Sequence, residues 1–462
     1  MSRVSEMMRR WLSGQVLEPL FWAVKGLPIY KRYKWFKLIQ TRQNREFNKE
    51  QLEKLKKIAI HAIENIPYYT SLNICRAEIL QANTAYSVLN LFPVLNKTIV
   101  REAIEQLHID YDGSAYTNHT GGSTGEPVTF FQDKNYLIDS LATTLLMFEW
   151  AGRRPGERSV KLWGAERDLV DGTLGWKHKL ADWIANRVTL NSFSMTLQKQ
   201  EQYRKIINQS KPVLIEGYAD SLYDFARFLH KTKSQVYTPR AIVSSAGTMH
   251  PHMRELVEEV FACKVFDRYG SREAGNMAAE CEAHNGLHIF GETSVLEVVD
   301  QDYQACHKGD EGNILVTNLT NFTMPLIRYE IGDRAVLGES QCSCGKPYSL
   351  LASISGRSSG SFKLEQGGTL NPQFFIHIMG VSCNDGSINK FQLIQKELDF
   401  IVIKIVFFKN RSLGDWTQKS KAEQIIKKAM GNACVLEFTV VDDIPLTQTG
   451  KHLYTICELD NE

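Results

Sequence analysis

The chain has 462 residues, 43% hydrophobic and 23% charged, a composition that suits a globular protein with more than one core. Its formal net charge of +2 excludes the strong basic surplus of a nucleic-acid binder, and no apolar run reaches the roughly 18 residues of a spanning helix. Nine cysteines, an odd number spread along a chain with no secretory signal, argue against a disulfide framework and for a reducing, cytoplasmic setting.

The first 45 residues depart from that average, because Arg3, Arg9, Arg10, Lys25, Lys31, Arg32, Lys34, Lys37, Arg42 and Arg45 face only Glu6 and Glu18. Met7, Met8, Trp11, Leu20, Trp22 and Val24 lie among them. The segment reads as a helix pair packed on the protein with its basic face in water, or as a peripheral contact with an anionic membrane. Glu50 to Ile66 carries Leu52, Leu55, Ile58, Ala59, Ala62 and Ile63 at helical spacing. The run Thr120-Gly121-Gly122-Ser123-Thr124-Gly125-Glu126-Pro127 is next. Its backbone N–H groups and hydroxyls can wrap phosphate oxygens, since glycine lets the main chain approach closely. It lacks the Gly-Lys-Ser/Thr ending of a Walker A loop, and taken alone it also reads as a Gly/Ser turn.

Tyr136 to Trp150 is an apolar helix ended by Gly152 and Pro155, and Ser159 to Gly164 is a short strand. Pro212–Tyr218 is strand-like and precedes Leu222, Phe225, Ala226 and Leu229 at helical spacing. Ala241–Ser245 is a second strand, breaking at Gly247, followed by a helix carrying Met253, Leu256, Val257 and Val260 and a strand at Lys264–Phe266. This alternation predicts an α/β fold with a mainly parallel sheet covered by helices. Ligands then sit at the carboxyl ends of the strands, where Gly217, Gly247 and Gly270 fall. Beyond Leu287 the pattern turns to short strands at His288–Phe290, Ser294–Val299, Asn313–Thr317 and Ile327–Tyr329. Gly356-Arg357-Ser358-Ser359-Gly360-Ser361 reads as a linker. Strands at Phe391–Ile394, Ile401–Phe408 and Val435–Val441, with a helix from about Lys419 to Met430 stopped by Gly431, predict a small α+β domain after it.

Four further runs carry chemistry. In Phe266–Glu273 a strand is expected to end at a Tyr269-Gly270 turn; Tyr269 can stack on a flat heterocycle and Glu273 can hold a hard cation. In Pro325–Asp333 a strand is expected to deliver Asp333 at a Gly-Asp turn, suited to accept two hydrogen bonds from a ribose diol. The guanidinium of Gly356-Arg357 suits phosphate or ribose oxygens. Near the end, Pro445–Lys451 presents a lysine on a glycine-containing turn.

In this order and spacing the runs resemble the adenylate-forming (acyl-AMP) ligase superfamily, and within it the phenylacetate–coenzyme A ligase branch and its capsular-polysaccharide-cluster homologues. The resemblance extends from about residue 85 to the C-terminus. It implies a large N-terminal domain, its mainly parallel sheets joined by a short-strand subdomain, and a small mobile α+β C-terminal domain, with the active site between them. The corresponding segments are 1–84 (an N-terminal helical part of the large domain), 85–355 (the adenylation core) and 356–462 (hinge and lid).

By the resemblance, Thr120, Gly121, Gly122, Ser123, Thr124 and Gly125 would cradle the ATP phosphates, Tyr269 would stack on adenine and Glu273 would bind Mg²⁺. Asp333 would hold the ribose hydroxyls, Arg357 would contact ribose or phosphate, and Lys451 would reach both the carboxylate and the α-phosphate. Ala246, Gly247, Asp267, Arg268, Gly270 and Ser271 complete the expected nucleotide-binding set. Tyr218, Ala219, Asp220, Ser245, Ala246 and Gly247 stand where an acyl pocket would form; Asp220 could face a polar or amino-bearing acid, or cap the helix that follows. The sequence departs from the family's pattern at Ser359 and Gly360, where an acidic pair is usual, and at Glu126, where many relatives have lysine.

Cys281, His288 and the Cys342-Ser343-Cys344-Gly345 knuckle suit a soft tetrahedral ion, and the branch carries similar elements. The expected structural Zn²⁺ ligands are Cys281, His288, Cys342 and Cys344, with His284 as the alternative fourth; free thiols beside a solvated histidine are the other reading. The activity implied is adenylation of a small carboxylic acid with ATP and Mg²⁺, then transfer to a thiol, coenzyme A. An amine or hydroxyl acceptor in polysaccharide biosynthesis is the alternative. A catalytically quiet nucleotide-binding scaffold is a third reading, which the presence of Lys451 argues against.

Overall fold

The computed structural model describes residues 3–119, 128–164, 176–339, 341–355, 361–408, 411–445 and 453–460. At its start, helix α1 (Arg3–Trp11) runs through π-helical turns at Leu12–Leu17 into α2 (Glu18–Val24), followed by α3 (Ile29–Ile39) and α4 (Asn44–Asn65). Helix α4 begins six residues ahead of the expected Glu50 and buries Leu55, Ile58, Ala59 and Ala62 along one stripe, as an amphipathic surface helix should. Strands β1 (Tyr116–His119) and β2 (Thr129–Gln132) pair antiparallel, His119 opposite Thr129. Helix α5 (Lys134–Trp150) follows, its first turn capped by Asp133, whose carboxylate accepts from the Tyr136 N–H at 2.9 Å.

The expected alternation then unfolds in order. Strand β3 (Ser159–Leu162) precedes helix α6 (Trp176–Ile184), β4 (Arg187–Leu190), β5 (Ser194–Thr196), α7 (Leu197–Ser210) and β6 (Leu214–Tyr218). Helix α8 (Ala219–Lys231), β7 (Ala241–Ser245), α9 (Pro251–Phe261) and β8 (Lys264–Ser271) complete it. Strands β4, β3, β6, β7 and β8 are parallel neighbours. Their central residues, among them Val160, Ile215, Ile242 and Val265, are fully buried because helices cover the sheet.

The short strands do not stand apart from this sheet. Strands β9 (Gly275–Glu280), β10 (Leu287–Ile289), β11 (Ser294–Val299), β12 (Glu311–Asn318), β13 (Tyr329–Leu337) and β14 (Leu350–Ser355) extend it as an antiparallel half, in the order β11-β12-β13-β14-β10-β9-β8-β7-β6-β3-β4. Strand β8 is the seam, parallel to β7 on one edge and antiparallel to β9 on the other. That pairing corrects two expectations. The strand expected to end before a Tyr269-Gly270 turn continues to Ser271, because β9 hydrogen-bonds to it, and Tyr269-Gly270 is an irregularity inside the strand. The strand expected at Ile327–Tyr329 instead starts at Tyr329 and runs to Leu337. Asp333 therefore lies within β13, beside a register shift and a Gly332 held at φ +89°, the signature of a bulge.

After residue 361, β15 (Phe362–Lys363) and β16 (Gly368–Leu370) form a small antiparallel sheet with β5, so this stretch is joined to the parallel half. Helix α10 (Pro372–His377) follows, then β17 (Ile388–Glu397), β18 (Phe400–Phe407), α11 (Lys419–Met430), β19 (Val435–Val440) and β20 (Thr455–Cys457). Their sheet has the order β19-β18-β17-β20. Phe362, Leu370, Phe374 and Phe375 share one buried cluster with Phe193 and Tyr218, so the core of the C-terminal part is continuous with the end of β6.

Candidate active site and metal centre

The carboxyl ends of β6, β7 and β8 form the edge at which parallel sheets bind ligands. Ala246, just past β7, sits at φ +54°, a left-handed conformation that costs a residue with a Cβ about 1 kcal/mol and marks a constrained turn. Next to it, a Cβ on Gly247 would stand 3.4 Å from the Ala219 side chain and 3.5 Å from the Asp220 carboxylate. Tyr218 ends β6 and is itself the N-cap of α8, with no side-chain cap bond. Asp220 lies within the first helical turn, so the capping role open to it from sequence is not the one it has. Burial, with Asp224 adding to it, pushes the Asp220 carboxyl up to about 7. Trp163 packs against Tyr218 at a tilt of 38° with 4.3 Å between ring centroids, and Phe193 bridges Tyr218 to Phe374 of α10. These aromatic neighbours were not selected from sequence, where an isolated Trp or Phe carries no signal of its own.

Tyr269 on β8 is buried, and its hydroxyl donates to Asp333 Oδ2 on β13 at 2.9 Å. Two runs more than sixty residues apart in sequence thus meet. Gly270 is confined here, since a Cβ would come within 2.7 Å of the Gly275 carbonyl across the β8–β9 hairpin. Ser271 Oγ accepts from the Ala274 N–H at 3.1 Å and closes the hairpin turn that carries Glu273, a residue only 7% exposed.

That turn is anchored to both strands flanking the glycine-rich run. Arg272 donates to the His119 carbonyl at 2.9 Å. Gln132 Nε2 donates to the carbonyls of Arg272 at 2.7 Å and Glu273 at 3.3 Å, and the Tyr136 hydroxyl adds a bond of 2.9 Å to Arg272. Arg272, Gln132 and Tyr136 are positioning residues missed by sequence reading, because their work is done on backbone carbonyls. Thr120–Gly125, together with Glu126, Arg357, Ser359, Gly360 and Lys451, lies outside the described residues.

Arg268 and Asp267 are directed elsewhere than toward a free crevice. Arg268 donates to Glu216 on β6 at 2.8 Å and to Asn276 Oδ1 at 3.0 Å. Burial opposes ionisation of Glu216, yet Lys161 and Arg268 hold its pKa below the ordinary value, so the cluster stays charged. Asp267 is pushed up to about 7 by burial and by Glu280, while Ser244 and the Arg268 N–H hydrogen-bond it.

Behind the antiparallel half, Cys281, His288, Cys342 and Cys344 bring one ligand atom each within 4.8 Å of one another, a grouping found among the described residues. Cys281 Sγ lies 3.8 Å from Cys342 Sγ, and His288 Nε2 lies 3.3 Å from both Cys281 Sγ and Cys344 Sγ. Sulfurs at about 2.3 Å from a tetrahedral centre are separated by about 3.8 Å, so the donor set and spacing fit zinc. Backbone N–H groups two residues on, from Ala283 and Lys346, point at Cys281 Sγ and Cys344 Sγ at 3.4 and 3.5 Å, and Gly345 at φ +75° makes the knuckle turn. Burial pushes the Cys281 thiol up to about 12 where no cation compensates it. His284, the alternative ligand, pairs instead with Glu280 at 3.2 Å.

This architecture, a parallel sheet joined through β8 to a curled antiparallel half and continued by a four-stranded C-terminal unit, is that of the acyl-adenylate-forming enzymes. The chain is similar along most of its length to CapK and over about half of it to a phenylacetate–coenzyme A ligase, and it shares the fold of solved acyl-CoA ligases. Residues 362–458 match the CapK C-terminal domain family. Protein CapK of Staphylococcus aureus is 24% identical over 378 residues, 80% of each chain. The phenylacetate–coenzyme A ligase of Thermus thermophilus is 28% identical over 250 residues, 53% of this chain and 54% of the relative. Among solved structures, 2-hydroxyisobutyryl-CoA ligase with 2-HIB-AMP and CoA in the thioesterification state superposes with a TM-score of 0.61 at 16% identity, over 91% of this chain and 92% of that one. In its postadenylation state the TM-score is 0.57.

Proposed function

We propose that the protein is an ATP-dependent, AMP-forming carboxylate ligase that adenylates a small carboxylic acid and passes the acyl group to a thiol, coenzyme A. The observation that carries this reading is the meeting of Tyr269, Asp333 and the Glu273 turn, with that turn tied to both flanks of Thr120–Gly125. Tyr269 stacks on adenine, Asp333 accepts from the ribose hydroxyls, and Thr120–Gly125 hold the phosphates that leave as pyrophosphate. The left-handed Ala246 and the adjoining Gly247 shape the floor between nucleotide and acyl group, with Asp267, Arg268, Gly270 and Ser271 holding β8 in register beneath them. Mg²⁺ bound through Glu273 would neutralise charge on the phosphate oxygens.

The acid needs no general base, because a carboxylate is already ionised near neutral pH. The difficulty is like-charge repulsion as the carboxylate meets the α-phosphate. Lys451 would place its ammonium where that charge gathers, and Arg357 would support the nucleotide from the hinge. Residues 1–84 and 85–355 would make up the large domain and 356–462 the small one that presents Lys451. Cys281, His288, Cys342 and Cys344 would hold a structural Zn²⁺. The place of action is the cytoplasm, with the basic N-terminal segment available for peripheral membrane contact.

A second reading keeps the adenylation and passes the acyl group to an amine or hydroxyl in polysaccharide biosynthesis; the match of residues 362–458 to the CapK C-terminal domain supports it, since that part would face the acceptor. Acid-dependent exchange of labelled pyrophosphate into ATP, screened over aromatic, hydroxy, amino and uronic acids, tests the shared first step. Consumption of free coenzyme A separates the two acceptors. Undiminished exchange in Lys451→Ala would overturn the mechanism.

A further inference from the structure

We propose that α1, α2 and α6 form one face that inserts shallowly into an anionic lipid bilayer. A surface helix ordinarily turns its apolar stripe to the core and its charges to water. Helix α1 does the opposite. Val4, Met7, Met8 and Trp11, spaced i, i+3, i+4 and i+7, are 70%, 71%, 66% and 61% exposed. Arg9 and Arg10 face the protein: Arg10 pairs with Glu157 at 2.9 Å, and Arg9 lies over the Trp183 ring at 4.5 Å and donates to the Trp183 carbonyl.

The inversion is built in rather than incidental. The π-helical turns that follow α1 bury Ser13 and Gly14, and a Cβ on Gly14 would meet the Pro155 carbonyl, so that side of the helix is fixed against the protein. The Ser13 hydroxyl also donates to the Ile184 carbonyl of α6 at 2.5 Å. The continuing helix exposes Leu20 and Val24, again one turn apart. Helix α6, contributed from far along the chain, exposes Trp176, Leu180 and Trp183 at i, i+4 and i+7. Trp11, Trp176 and Trp183 are the exposed tryptophans among the described residues, and all three stand on these two touching helices.

Charge decides what covers the face. Of the ten lysines and arginines in the first 45 residues, Arg10, Arg32, Lys37 and Arg42 pair with acids of the protein, and the segment itself adds only Glu6 and Glu18. Lys25 at the end of α2 and Lys179 beside Leu180 on α6 are exposed cations on the same elements, and Lys31 and Lys34 on α3 are exposed as well. A second copy of the same face would meet it with like charge, whereas anionic headgroups complement it and acyl chains accept the Trp and Met side chains. No helix among the described residues is long and apolar enough to cross a membrane, so the contact lies in the interface plane.

This deepens, and rests on, the peripheral contact proposed above from charge, and it is independent of the adenylation chemistry. The full chain is floated with vesicles of phosphatidylcholine alone and of phosphatidylcholine mixed with phosphatidylglycerol, the latter also carrying brominated acyl chains. Binding to the mixed vesicles, weakened by salt, with quenching of tryptophan fluorescence by the brominated chains, is the expected result. Met7→Gln with Trp11→Gln should weaken binding by at least about tenfold while leaving pyrophosphate exchange in solution intact. Binding without quenching and without an effect of these substitutions would leave the basic contact standing and overturn insertion. Absence of binding to either vesicle, or self-association that the same substitutions abolish in place of lipid binding, would overturn both.

Discussion

The Tyr269 hydroxyl donates to Asp333 at 2.9 Å although three strands separate β8 from β13 in the sheet. The contact requires the antiparallel half to curl back over the seam, and the irregularity at Gly332 turns Asp333 toward β8 rather than along its own strand. Asp333 thereby holds a donor in the folded chain, and in the proposed nucleotide site its second oxygen would receive a ribose hydroxyl.

Tyr269→Phe keeps the ring and removes this bond. A net hydrogen bond of about 1 kcal/mol corresponds to about a fivefold change. The KM for ATP in pyrophosphate exchange should therefore rise about fivefold, with kcat nearly unchanged. Asp333→Asn should raise it further, because it also loses the charge that would receive the ribose in the proposed site. An unaltered KM in both variants would remove this pair from the nucleotide site.

Glu273→Gln tests the proposed magnesium role. The side chain is buried in a turn held by Gln132, Tyr136 and Arg272, so an isosteric amide should leave the hairpin in place. Exchange activity should fall by about a hundredfold or more, and the Mg²⁺ concentration for half-maximal activity should move upward. A fall in activity with no shift in the Mg²⁺ titration would make Glu273 a residue of the turn rather than of the metal.

Much of this was legible in sequence because the elements concerned are local. The stripe Leu222, Phe225, Ala226 and Leu229 gave α8, and Ala241–Ser245 gave β7 to the residue. What failed was long-range. The extent of β8 depends on hydrogen bonds from β9, and the place of Asp333 depends on a bulge opposite β12. Strands β15 and β16, two and three residues long, depend on pairing with each other and, for β16, with the distant β5, and such short runs carry no periodicity. The clustering of Cys281, His288, Cys342 and Cys344 was legible as residue types at knuckle spacing, but the separation of His284 from that cluster depends on Glu280, which pairs with it.

The sulfur–imidazole cluster gives the third prediction. Protein purified without chelator should carry about one zinc per chain by elemental analysis. Cys342→Ser should lose that zinc and lower the melting temperature by at least about 5 °C, since metal bound only by the folded state stabilises it. The loss should spare nucleotide contacts, because the cluster clamps the β9–β10 connection to the turn before β14, away from Tyr269 and Asp333. Zinc near zero in the unaltered protein would return the four side chains to buried thiols and a core histidine.

Glu292 supplies a pH prediction that is independent of the active site. It is 2% exposed, receives the Tyr348 hydroxyl, and burial pushes its carboxyl up to about 7. An unfolded glutamate releases its proton near about 4.3. Between those values the folded chain holds the proton and the unfolded chain does not, so this group's contribution to stability is full below about pH 4 and is lost as pH rises through 7. Asp139, raised to about 6 by burial against the opposing pull of Arg32, adds a slope of the same sign. The comparison must therefore be between variants at each pH rather than within one titration. Glu292→Gln is neutral throughout. Its melting temperature should match that of the unaltered chain at about pH 4 and exceed it at about pH 8, by an amount equivalent to about 1–3 kcal/mol. Parallel melting curves across that range would show that Glu292 is ionised in the folded protein, with Lys54 close enough to hold the charge.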